Sequence, residues 1–202
     1  MHRSIRSAAA PLALTAFACL LLAGCHVADH KNGNNDNVDI GTPFGSMQVK
    51  TNNNADTSAI GIAAYPGAVP VKDNEKDSNS ADINMSFGGF HLGVKAAGFQ
   101  TPDSQDKVVA FYKKDLARYG DVIECANDTP IGQPTHTSQG LTCDTKHGGH
   151  ISTGDHGVEL RTGSELHQHI VDIEAHDGGT KIGLVDLDLP SHLSNHDKND
   201  SE

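Results

Sequence analysis

The chain has 202 residues, 36% of them hydrophobic and none tryptophan, with a formal net charge of −11 from 15 basic and 26 acidic side chains. That length supports one domain with polar ends, and the low apolar content predicts a modest core. No stripe of Lys or Arg interrupts the acidic balance, which repels phosphate backbones and excludes nucleic acid as a partner.

Met1–Ser7 carries Arg3 and Arg6, Ala8–Leu22 is an almost unbroken apolar run, and Ala23 and Gly24 precede Cys25. A positive head, a short apolar stretch and small residues before a cut describe a secretory signal peptide over residues 1–24. The run of about 15 residues is short of the roughly 20 that a spanning helix needs, so no transmembrane segment is expected.

Leu22-Ala23-Gly24-Cys25 resembles the lipobox of bacterial lipoproteins at all of its positions. The resemblance implies diacylglycerol on the Cys25 sulfur, cleavage after Gly24 and acylation of the new amino terminus. Each buried methylene contributes about 0.8 kcal/mol, so several chains together anchor firmly to a membrane. His26, where inner-membrane retention is associated with Asp, implies the outer membrane facing the periplasm if the host is Gram-negative.

Residues 25–41 hold few apolar side chains among many Asn, Asp and Gly, and are expected to form a flexible tether. Residues 191–202 read the same way, as a disordered acidic tail. Between them, 42–190 is the folded body, with polar interruptions at Asn52–Thr57 and Asp73–Ala81.

The body opens with a short strand at Phe44–Thr51. Tyr65-Pro66-Gly67-Ala68 has the proline and glycine of a type II turn. Phe87–Phe99 reads as a glycine-broken strand region. A helix follows, capped by Thr101 or Asp103, with Val108, Phe111, Tyr112, Leu116 and Tyr119 at a 3.6-residue period and Gly120 at its end. Strands are then expected at Asp121–Ala126, Leu141–Thr145, Val158–Thr162, His167–Ala175 and Lys181–Leu189. His176-Asp177-Gly178-Gly179 joins the last two as a hairpin. This order predicts an α+β domain, a two-layer antiparallel sheet with one main amphipathic helix packed on it.

The Tyr65–Ala68 turn, the Thr101-Pro102-Asp103-Ser104 helix start, and Val108, Phe111, Tyr112, Leu116 and Gly120 resemble the shared features of a group of exported bacterial lipoproteins. The resemblance implies a small α+β fold and no established activity, and it transfers no catalytic residues.

Cys19 belongs to the leader, which leaves Cys125 and Cys143. In an exported domain they favour a structural disulfide over a free redox pair, since no Cys-x-x-Cys is present. Such a bridge closes a loop of about 19 residues, worth about 3 kcal/mol. All of the 13 histidines except His2 lie beyond residue 24, and several crowd between 147 and 176. His167 and His169 share one strand face, and His147, His150 or His156 would complete a zinc or copper set. Against this, no metalloprotease helix motif is present, and the same two histidines fit the solvated end of a strand.

No nucleophile elbow, phosphate loop or other catalytic constellation is found. The expectation is a membrane-anchored periplasmic lipoprotein without a cofactor. The leading reading is a non-enzymatic binding or structural module for an envelope protein or glycan. A histidine-based metal-binding lipoprotein is the alternative.

Overall fold

The structure is a computed structural model that describes residues 25–32, 35–52, 57–71, 79–143, 157–176 and 178–191. The leader 1–24, the segment 192–202, and His147, His150 and His156 lie outside the described residues.

Among the described residues the fold is mostly antiparallel sheet with a single helix. In chain order the strands are β1 (His26–Asn32), β2 (Asn35–Thr42), β3 (Gly45–Asn52), β4 (Val69–Pro70), β5 (Ser80–Phe87) and β6 (Phe90–Thr101). Helix α1 (Gln105–Leu116) follows, continued by a 3-10 turn at Ala117–Tyr119. Then come β7 (Ile123–Ala126), β8 (Thr129–Pro130), β9 (Gly157–Gly163), β10 (His167–His176) and β11 (Gly179–Asp188). The strands lie side by side in the order β1-β2-β3-β5-β6-β11-β10-β9-β7-β8, with β4 pairing on β6.

Residues 25–41 were expected to be a flexible tether, yet among those described, 26–32 and 35–41 are strand. β1 and β2 pair from His26–Gly41 to Asn32–Asn35, and β2 pairs in turn with β3. Cross-strand backbone hydrogen bonds satisfy these polar residues without a packed core, and Val27, Val38 and Ile40 supply the alternating apolar positions. The second polar interruption is also shorter than expected, because β5 starts at Ser80 and forms a hairpin with β6 across Gly88 and Gly89. Residues 141–143, expected to begin a strand, are irregular.

The Tyr65–Ala68 turn forms as read from sequence. Ala68 N donates to the Tyr65 carbonyl at 3.0 Å, and Gly67 supplies the left-handed φ of +76°. The helix begins at Gln105 with Ser104 at the cap position, one residue beyond Asp103 and three beyond Thr101, the two caps expected. The Asp103 carboxylate is engaged elsewhere, accepting hydrogen bonds from the Tyr65 hydroxyl at 2.8 Å and the Lys107 ammonium at 3.0 Å. Those two bonds, the tyrosine's first, hold the Asp103 carboxyl below the usual carboxylate range.

Val108, Tyr112 and Leu116 recur every four residues along α1 and are fully buried. They join Leu160 of β9, Val171 and Ile173 of β10, and Ile182 and Leu184 of β11 in the main core, together with Ile60, Ile62 and Phe99. A smaller cluster of Ile170, Val185 and Leu187 lies on the opposite sheet face, continued by half-buried Leu92, Val94 and Ala96. The central strands are therefore apolar on both faces, and only one face carries the helix.

Candidate metal centre

On the helix-bearing face, the β10–β11 ladder changes character along its length. The register pairs Ile173 with Ile182 and Val171 with Leu184, then His169 with Asp186 and His167 with Asp188. The first two pairs lie under α1. The second two begin at the C-terminal end of the helix, where apolar cover gives way to imidazoles and carboxylates.

Asp186 Oδ1 stands 3.1 Å from His167 Nε2 and 3.3 Å from His169 Nδ1. The ligand atoms of His167, His169 and Asp186 all lie within 4.8 Å of one another. Donors bound at 2.0–2.1 Å around a tetrahedral zinc stand about 3.3 Å apart, so both separations fit edges of one coordination tetrahedron. Asp186 is 5% exposed and His169 7% exposed. His169 Nδ1 and Asp186 Oδ1 are buried and make no aligned hydrogen bond. Either a proton on Nδ1 or a cation between the two atoms would satisfy both.

The surrounding side chains hold these three in place. His167 Nδ1 meets Asp188 Oδ1 at 2.5 Å, so a proton on Nδ1 turns the Nε2 lone pair toward Asp186. A carboxylate behind a ligating imidazole is a common supporting arrangement in metal sites. Lys95 of β6 binds the other carboxylate oxygen, Asp186 Oδ2, at 3.2 Å. Burial pushes the His169 imidazole below its ordinary pKa, which favours the neutral ring that coordinates metals.

The Tyr119 ring stacks on His169 with centroids 3.9 Å apart, and its hydroxyl donates to the Gly61 carbonyl at 2.6 Å. Arg118 donates to the same carbonyl and pairs with Asp115 at 3.0 Å. The end of the helix thus clamps the 60–63 loop and fixes His169 from the side. Gly61 adopts φ +78°, and a Cβ there would stand 3.0 Å from the Tyr119 hydroxyl. Gly61→Ala is expected to cost about 1 kcal/mol of stability, read as a lower denaturant midpoint. An unchanged midpoint would mean that the clamp is slack.

Of the residues singled out from sequence, the structure brings together His167 and His169. His147, His150 and His156 lie outside the described residues, so the third ligand offered here is Asp186. Cys25 is exposed and directly precedes β1. Cys125 and Cys143 sit at disulfide-bonding distance with Cα atoms 5.6 Å apart. Asp186, Asp188 and Lys95 were not singled out, and Tyr119 was read only as an apolar position of the helix. The signal for the aspartates was the hairpin turn itself, since pairing His176 with Gly179 and counting back sets Asp186 against His169.

Among the described residues, no helix is long and apolar enough to cross a membrane. Comparison with protein-family models, curated proteins and solved structures finds no match to this chain.

Proposed function

We propose that this chain is a lipid-anchored protein of the cell envelope that binds a divalent transition-metal ion, zinc or copper, through His167, His169 and Asp186. The observation that carries this reading is buried Asp186 Oδ1, which stands at tetrahedral-edge distance from both His167 Nε2 and His169 Nδ1 and, like His169 Nδ1, makes no aligned hydrogen bond. Two imidazole nitrogens and one carboxylate oxygen suit either metal, and a half-exposed His167 leaves a coordination position open to solvent. Asp188 and Lys95 act as positioning residues. Of the two functional readings of the sequence, the geometry favours the metal-binding one over an envelope module for a protein or glycan.

In this reading the leader 1–24 is removed, Cys25 carries the lipid, and the protein faces the periplasm from the outer membrane. The helix-on-sheet core supports a two-layer α+β body with its metal site at the end of the helix.

Metal titration of protein lacking a histidine tag tests the binding site. One zinc or copper per chain is expected, with His169→Ala and Asp186→Ala each abolishing tight binding. Asp188→Asn is expected to weaken it 10- to 100-fold, and His176→Ala to leave it unchanged. Absence of stoichiometric metal would sink the proposal. In that case the cluster is a set of side-chain contacts between His167 and the two aspartates.

A further inference from the structure

The strand register gathers three chain segments at one end of the sheet. His26 pairs with Gly41, Thr42 with Gly45, Gly45 with Phe87, and Phe87 with Phe90. The start of β1, the β2–β3 turn and the β5–β6 turn therefore lie side by side. Three of the five large hydrophobic residues exposed among those described belong to this end: Phe44 at 84%, Val27 at 65% and Phe87 at 41%.

The local structure displays these side chains rather than hiding them. Thr42 Oγ1 accepts hydrogen bonds from Phe44 N at 3.3 Å and Gly45 N at 3.1 Å, which fixes the turn and leaves the Phe44 ring outside it. Behind the tip, the sheet face away from the helix continues as a cross-strand row of Val27, Ile40, Met47, Met85 and Leu92. The chain carries a net charge of −11, yet residues 25–28, 40–47 and 83–94 contain no Asp, Glu, Lys or Arg. An uncharged, apolar tip on an acidic protein approaches a lipid surface without desolvating a charge.

Cys25 sits one residue before β1, with no tether between them. A lipid on its sulfur holds this end of the sheet within a few residues' length of the bilayer, each residue spanning about 3.3 Å. We infer that the Cys25 end of the sheet rests in the bilayer surface, with Phe44, Val27 and Phe87 entering the boundary between headgroups and acyl chains. This rests on the reading of Cys25 as a lipid-bearing residue. The anchor and the tip then form one contact that orients the domain, with the lipid attached at the contact itself.

The absence of tryptophan makes a clean test possible. Phe44→Trp and Ile131→Trp are prepared in the full lipidated chain and reconstituted in phosphatidylcholine vesicles with acyl-brominated lipid. Ile131 is the control, exposed beside β8 at the opposite edge of the sheet. The expected result is blue-shifted emission at position 44 that bromolipid quenches at least twofold, with emission at 131 unaffected. Protein that floats with vesicles but shows no quenching at 44 overturns the inference and leaves the anchor standing. So does equal quenching at both positions, or a blue shift at 44 that bromolipid does not quench, which indicates a protein partner on the tip. Failure to float overturns both the anchor and the inference.

Discussion

Replacing Cys125 and Cys143 together with alanine is expected to lower the free energy of unfolding by about 3 kcal/mol. The two cysteines are separated by 18 positions and join β7 to the irregular segment that ends at residue 143. Among the described residues, hydrogen bonds also hold that segment, including Gly140 N to the Thr137 carbonyl at 3.1 Å. Further internal bonds run from Thr137 N to the Leu141 carbonyl at 2.9 Å and from Leu141 N to Thr137 Oγ1 at 2.9 Å. Ser138 N donates to the Asp121 carboxylate at 2.9 Å, and Arg161 reaches the Thr142 carbonyl at 3.4 Å. Without the bridge, Ile123 loses the two cysteines that form its buried cluster. Equilibrium denaturation of the wild type with and without reductant should reproduce the difference seen in the double variant. Coincident curves would show that the thiols are not joined in solution.

Asp172→Asn is expected to stabilise the protein at pH 8 and to have little effect near pH 4. Asp172 lies in β10 on the sheet face away from the helix, in a cavity of about 430 Å³ floored by Gly98 and Gly183. Burial, followed by the charges of Glu159 and Glu174, raises its carboxyl pKa from 3.8 to about 7. Lys181 lines the same cavity, while Arg161 is committed to Glu159 in a buried ion pair. Asp172 Oδ1 is buried without a hydrogen-bond partner.

A raised folded-state pKa means that the native chain binds this proton more tightly than the unfolded chain. Stability from this group is therefore complete below about pH 4 and is lost as pH rises through about 7. The limiting slope is on the order of 1 kcal/mol per pH unit. Water reaching the partly exposed carboxyl reduces the total loss to on the order of 2 kcal/mol. Denaturant midpoints for both proteins across this range are the measurement, and parallel pH profiles would refute the assignment to Asp172.

The helix was legible because Val108, Tyr112 and Leu116 announce a buried stripe whatever it packs against. The last two strands were legible because a glycine turn separates two β-rich runs. The segment 25–41 was misread because composition reports what a stretch can bury, and β1 and β2 are held chiefly by their backbones. At residues 141–143 the apolar and cysteine positions imitate strand alternation, yet a tight turn and the Cys125 pairing bury Leu141 and Cys143 instead. The candidate site was half legible. His167 and His169 advertise a shared face by their spacing, whereas Asp186 looks like the solvated side of an alternating strand until the hairpin register sets it opposite His169.

The two margins of the sheet are unequal. β8 is two residues long and contains Pro130, which has no amide hydrogen to offer a further strand. β1 is seven residues long and, among the described residues, pairs only on its β2 side. Among the described residues, growth by strand addition is therefore open in one direction only. Two copies meeting through β1 would complete a closed two-fold pair with a short, proline-blocked strand at each outer margin, rather than seed an open-ended fibre.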